Sequence, residues 1–211
     1  MRISYLLESV GVRLVFLILT DVLVISLGIA LINIDSQYAI LKIALFLILG
    51  VLGYKTFKNS LSYLKGMDGE NDVYKVLKQL PQEYKVLHDF VEGKRGNIDY
   101  IVVGPTGLWT VEVKNYKEQN IDNQFLEKNL KQAYAEAKAL SNHLSLSVNP
   151  ILVFTNPKTK LHFGLNKQKG VYVIGKKWLF DLVQNESYGS SLSPEQSSQI
   201  SSEIKKFTSI I

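Results

Sequence analysis

From Leu14 to Ile34 the chain carries one charged residue, Asp21. That stretch is as long as the roughly 20 residues that cross a bilayer's hydrocarbon core. After Asp35-Ser36-Gln37 a second apolar run goes from Tyr38 to Tyr54, broken only by Lys42. A lysine near the start of a span can carry its ammonium to the interface. The two runs predict transmembrane helices at about 12–34 and 38–54, in an anchor of residues 1–55. A cleaved signal peptide fits less well, because no small-x-small site follows and the second run would go unexplained. Arg2 and Arg13 precede the first run, Lys55, Lys58 and Lys65 follow the second, and the connecting loop has neither Lys nor Arg. The positive-inside rule then predicts a multi-pass protein of the cell membrane with both termini in the cytoplasm. Asp21 reads as a tolerated polar residue on the hairpin's inner face, opposite Lys42, since no second relay residue accompanies it.

The remainder of the chain reads differently. The whole chain's 211 residues allow one ordinary domain beside the anchor. With no cysteine, a disulfide scaffold, a thiolate zinc site and a cysteine nucleophile are all excluded. A formal net charge of +5 leans toward anionic partners, either nucleic acid or an anionic membrane face.

Residues 56–65 look like a basic juxtamembrane linker. Val73, Val76, Leu77 and Leu80 have helical spacing within Gly69–Leu80, and Pro81 stops the run. Tyr84–Phe90, Ile98–Val103 and Leu108–Val113 read as strands, the last two joined by the turn Gly104-Pro105-Thr106-Gly107. A long helix is expected over Phe125–Leu146, with Leu130, Tyr134, Ala137, Leu140 and Leu144 on one face. Ile151–Phe154 and Val171–Ile174 read as short buried strands, and Lys176–Val183 as a short helix. A Ser-rich loop follows, and Ser193-Pro194-Glu195-Gln196 opens a final amphipathic helix with a capping box. The order predicts an α/β fold, a mixed sheet with helices on its faces. Residues 66–183 would form the soluble domain and 184–211 its loop and closing helix.

The chemistry centres on Asp99 and on Glu112-Val113-Lys114. Alternation puts Glu112 and Lys114 on one face of a strand and Trp109, Val111 and Val113 on the other. An even loop centred on Pro105-Thr106 sets Asp99 directly opposite Glu112. Proline suits the primed turns of a two-residue loop poorly, so a four-residue loop, 104–107, is expected. A three-residue loop with a bulge at Gly107 would set Asp99 opposite Val113 instead. Facing carboxylates destabilise a sheet, and a divalent cation reverses that penalty. Mg²⁺ takes one or two carboxylates, keeps waters and accepts phosphate oxygens. Lys114 could then orient or deprotonate an attacking water, or hold a phosphate. The competing reading pairs these acids with Lys114 or Arg95 as ordinary polar residues.

His88, His143 and His162 have no ligand spacing, and there is no phosphate-binding glycine loop. Lys94, Arg95, Lys114, Lys117, Lys128 and Lys131 could track a phosphate backbone or simply form a solvated face. Tyr116 and Trp109 could stack on bases, Trp109 fitting a core position better.

Residues 66–175 resemble a NERD domain, the nuclease-related branch of the PD-(D/E)XK nuclease superfamily. The resemblance is carried by Gly69-Glu70, by Gly96-Asn97-Ile98-Asp99 through Gly104-Pro105 and Gly107, and by Val111-Glu112-Val113-Lys114-Asn115. Pro150–Thr155 and Gly170–Val173 resemble its closing strands. Ile98 stands where the superfamily's namesake has proline. The resemblance implies a restriction-endonuclease-like fold and hydrolysis of phosphodiester bonds with Mg²⁺, Mn²⁺ being a substitute. It implies Asp99 and Glu112 as metal ligands, Lys114 as catalytic lysine, and Glu70 and Gln132 as further site residues. Glu70 also reads as a carboxylate satisfying a helix dipole, and Gln132 as a solvent-facing helical residue. Nucleic acid, DNA before RNA, and the lipid bilayer are the expected partners. A non-catalytic module that binds nucleic acid or a protein at the membrane is the alternative.

Overall fold

The computed structural model describes residues 18–29, 39–91, 97–116 and 120–208. The chain divides into two compact units, Met1–Lys65 and Gly66–Ile211.

Helix α1 covers residues 18–29 of the first unit, and helix α2, Ala39–Leu77, begins in that unit and has its last residues, from Gly66, in the second. A Cβ on Gly53 would lie 3.3 Å from Val24, and one on Gly28 would lie 3.9 Å from Phe46. The contacts run in opposite senses along the two helices, and the small residues let the backbones approach. Ile18, Leu19, Val22, Leu23 and Ile25 on α1 are exposed, as are Ile40, Ile43, Phe46, Leu47 and Val51 on α2. Among the described residues, no helix is long and apolar enough to cross a membrane. The two spans expected at 12–34 and 38–54 are therefore not found in that form. Residues 18–29 rise about 18 Å and residues 39–54 about 24 Å at 1.5 Å per residue, short of a roughly 30 Å hydrocarbon core. Much of the first expected span and the loop after it lie outside the described residues, as does the Lys42 side chain expected to face Asp21.

Residues 56–65 are helical, part of α2 rather than a connector of separate character. The reason is local: the segment holds no Pro, and none follows before Pro81, so no residue there removes a helical hydrogen bond. The helix expected to begin at Gly69 is accordingly the last turns of α2.

The second unit is a six-stranded mixed sheet in the order β1-β2-β3-β4-β6-β5. Strands β1 (Lys85–Val91), β2 (Asn97–Gly104) and β3 (Gly107–Lys114) form an antiparallel meander. Helix α3, Asn123–Leu144, crosses over to β4, Asn149–Phe154, which lies parallel to β3. Strand β6, Val171–Gly175, continues the parallel part, and the two-residue β5, Lys167–Gln168, pairs with it antiparallel. That short strand had no sequence signal. A 3₁₀ turn at Lys176–Trp178 and helix α4, Leu179–Gln184, follow. Helix α5, Pro194–Thr208, closes the chain. Its capping box forms as the sequence predicts: Ser193 Oγ accepts from Gln196 N–H at 3.2 Å, and Gln196 Oε1 accepts from Ser193 N–H at 2.8 Å.

Both faces of the sheet are buried. Val73 and Leu77 of α2 pack with Val102, Trp109, Val111, Val113 and α4 on one face. On the other, Leu140 of α3 and Ile200 and Ile204 of α5 cover Ile101, Val103 and Leu108, while Leu130 and Ala133 cover Leu152, Phe154 and Val173. Burying all these side chains on both faces, at about 25 cal/mol per Å², is what holds the layers together. Tyr134 is exposed, so the buried face of α3 runs through Ala133, Glu136, Ala137 and Leu140 instead.

Candidate active site at the end of the central strand

The hairpin between β2 and β3 sets the site's parity. Its register pairs Tyr100 with Val111 and continues to Gly104 with Gly107. The loop is thus even, as expected, but it is the two residues Pro105-Thr106 rather than four. The turn is fixed from outside: Thr106 Oγ1 donates to Val183 O, and Leu192 N–H donates to Pro105 O at 3.0 Å. Gly107 takes φ +123°, a conformation that side-chain-bearing residues rarely adopt.

One step beyond Tyr100 and Val111, the register leaves Asp99 and Glu112 on the same face. The ladder stops there because Asp99 intervenes: its Oδ2 accepts the Val113 N–H at 2.8 Å. Glu112 is 3% exposed. Its Oε1 accepts from Lys114 Nζ in an ion pair and from Gln132 Nε2 at 2.8 Å. Gln132 also meets Glu136 Oε1 at 2.9 Å, joining the two carboxyls through one amide. With both groups ionised, Oε2 of Glu112 and Oε2 of Glu136 are buried without a donor among the described residues; a proton on one of the two carboxyls lets them hydrogen-bond to each other. Burial pushes the Glu112 carboxyl up to about 7 against the opposing pull of Lys114, with Glu136 adding to the rise. Burial raises Glu136 as well, eased by Gln132, while Asp99 adds its own charge to the push.

The expected residues therefore come together unevenly. Asp99, Glu112, Lys114 and Gln132 share the α3 side of the β2–β3 edge. The Glu112–Lys114 ion pair of the competing reading is present too. Glu70 stands on α2, the helix of the opposite face, where its carbonyl accepts the Tyr100 hydroxyl at 3.0 Å. Gly69 brings that helix to the strand ends: a Cβ there would lie 3.0 Å from Asn115 and 3.2 Å from Thr155. Trp109 is wholly buried. Lys94, Arg95 and Lys117 lie outside the described residues. Glu136 went unpredicted, although a glutamate four residues after Gln132, on the Leu130–Ala133–Ala137–Leu140 face, was visible in the sequence as an anomaly.

The fold and this edge define an α/β domain of nuclease-like architecture, with acids and a lysine gathered at the end of the central strand. Residues 65–155, from the end of α2 to the end of β4, match the family model of NERD, the nuclease-related domain. The match stops short of Gly170–Val173, which leads into β6 and also resembles the family. Comparison with curated proteins and with solved structures gave no match.

Proposed function

We propose that the chain is a divalent-metal-dependent nuclease that hydrolyses phosphodiester bonds, in DNA rather than RNA, at the cytoplasmic face of a membrane. The observation that supports the chemistry is Asp99 and the buried Glu112 on one face at the end of the central strand, with Glu112 Oε2 lacking a donor. A buried acceptor without a donor is costly, and a hard cation satisfies it. Among the described residues no group of three or more His, Cys, Asp or Glu is placed to hold a metal. Mg²⁺ does not need one, since one or two carboxylates, waters and substrate phosphate complete its shell.

Asp99 and Glu112 would hold the ion, Glu112 through Oε2 because Lys114 and Gln132 occupy Oε1. When bound, the ion would supply Lewis-acid stabilisation of the phosphoryl charge. Lys114, about a quarter exposed at the strand end, is placed to hold a phosphate oxygen or take a proton from water. Gln132 keeps the Glu112 carboxylate aimed, and the Val113 N–H does the same for Asp99.

The membrane part of the proposal is supported by exposed Ile, Leu, Val and Phe side chains on α1 and the front of α2, too apolar a surface to leave in water, and by the Lys/Arg bias of the flanks. The test is cleavage of single- and double-stranded DNA and RNA with Mg²⁺ or Mn²⁺, beside Asp99→Ala. Metal-dependent cleavage lost in the variant is the expected result. Tight nucleic-acid binding with no turnover under any metal would instead identify a binding module.

A further inference from the structure

The edge on which the candidate site lies carries on across the sheet. Lys114, Phe154 and Gly175 are register partners on β3, β4 and β6, so two strand spacings, roughly 10 Å, separate the ends of β3 and β6. Between them runs the loop that leaves β4. Tyr116, just past Lys114, holds that loop: its carbonyl accepts from Asn156 Nδ2 at 2.8 Å and from Thr159 Oγ1 at 3.4 Å. Further on, the loop's Leu161 lies against Gly175, where a Cβ would be 3.9 Å from Leu161 Cδ1. The loop thus links the end of β3 to the end of β6.

The charge along this edge is one-sided. Lys158 and Lys160 on the loop and Lys177 in the 3₁₀ turn after β6 are exposed and have no acidic partner among the described residues. Asp72 of α2 is already matched, by Lys176 at 2.6 Å and by Lys75 at 3.6 Å. Asp68 on α2 and Asp181 on α4 are exposed acids of the region, fewer than its free lysines.

At the far end stands Trp178, 47% exposed. Tyr134 is the other large apolar side chain left open among the described residues of the second unit. A single apolar side chain on a surface needs no special account. This one closes a row of lysines, and Lys177 Nζ stands over its ring, 5.1 Å from the centroid. Lysines along a path suit successive phosphates, and an open indole at its end suits the π-face of a base. A base offers that face when it is unpaired.

Resting on the nuclease reading above, we propose that single-stranded nucleic acid passes from Lys114 along Lys158 and Lys160 and stacks a base on Trp178. Lysine and indole contacts read no base edge, so this surface tolerates any sequence.

The test uses the full chain in EDTA. Titration with single-stranded oligo-dT should quench tryptophan emission, and a blunt duplex should quench far less. Of the chain's two tryptophans Trp109 is wholly buried, so the quenched signal reports Trp178. By fluorescence anisotropy Trp178→Ala should weaken oligo-dT binding about tenfold, within the range for one stacked base. Trp178→Phe should keep most of the affinity. The triple variant Lys158→Ala, Lys160→Ala, Lys177→Ala should lower the slope of log K against log salt by about 2. All four side chains are exposed, and unchanged thermal melting confirms that the variants fold. Binding without quenching, or Trp178→Ala binding as tightly as wild type, overturns the stacking platform. An unchanged salt slope overturns the lysine path. A response of Trp178 emission to phosphatidylglycerol vesicles and none to oligo-dT assigns the ring to a lipid surface and overturns the proposal. Quenching and binding as expected in a chain that cleaves no nucleic acid with Mg²⁺ or Mn²⁺ uphold the surface and remove the nuclease reading alone.

Discussion

The carboxylate of Asp99 accepts the backbone N–H of Val113 at 2.8 Å, where the β2–β3 ladder would otherwise continue. Facing Glu112 across the hairpin, Asp99 looks like a pure electrostatic cost. The hydrogen bond makes it a structural element as well. Asp99→Ala should therefore destabilise the domain by about 1–2 kcal/mol in metal-free buffer, because it orphans a buried N–H. Asp99→Asn keeps an acceptor and should melt close to wild type. Both should lose metal affinity by calorimetric titration. An Asp99→Ala variant more stable than wild type would mean that repulsion outweighs the bond.

Glu112 gives stability a pH dependence of definite sign. Its carboxyl is raised from 4.5 to about 7 in the folded protein. Between those values the native state binds more protons than the unfolded chain, so stability falls as pH rises through the window. The full shift corresponds to roughly 3 kcal/mol, shared with the coupled Glu136. Thermal melts in EDTA should drop between pH 5 and 8, and Glu112→Gln should flatten the slope. Mg²⁺ at pH 8 should restore stability to wild type but not to the variant. A flat wild-type profile would show that the pair titrates as it does when unfolded.

How far the sequence exposed this site depended on distance along the chain. Strand alternation placed Glu112 and Lys114 on one face, and hairpin parity placed Asp99 with them, because both are local rules of period two. The loop length was misjudged because what holds Pro105-Thr106 in a tight turn comes from Val183 and Leu192, far along the chain. Glu136 was missed for a related reason. Its burial follows from the exact rotation of α3 over the sheet, and one exposed aromatic, Tyr134, was enough to tilt the assumed face.

Gln132 bridges Glu112 and Glu136, so its amide is the hinge of the carboxylate pair. Gln132→Leu should remove one donor from two buried oxygens and lower stability at pH 8 by about 1–3 kcal/mol. The loss should shrink at pH 5, where a shared proton can replace the amide. Melts at the two pH values distinguish this from a packing defect, which would cost the same at both.

Lys114 bears two possible duties that substitution separates. An ammonium is no metal ligand, so Lys114→Ala should leave calorimetric Mg²⁺ binding nearly intact while abolishing cleavage. It should also push the Glu112 carboxyl further up, since Lys114 is the attraction opposing burial there. Lys114→Arg keeps a cation that cannot act as a base at neutral pH. Loss of cleavage with arginine assigns Lys114 to proton transfer from water. Full activity with arginine reduces it to a phosphate clamp, and wild-type cleavage by Lys114→Ala would remove the nuclease assignment from this site.

The anchor is testable because the chain contains no cysteine. Cysteines placed singly at Ser36 and Ser198 report on two sides of the proposed membrane. Ser36 falls in the loop without Lys or Arg between the apolar runs, and Ser198 lies on α5 of the second unit. A membrane-impermeant maleimide added to intact cells should label Ser36→Cys directly and Ser198→Cys only after permeabilisation. Recovery of the chain in the membrane fraction after a high-salt wash should accompany this, because acyl-chain burial is insensitive to ionic screening. Labelling of Ser198→Cys from outside would reverse the orientation. Release by salt alone would show that the exposed apolar surfaces of α1 and α2 are covered by something other than lipid.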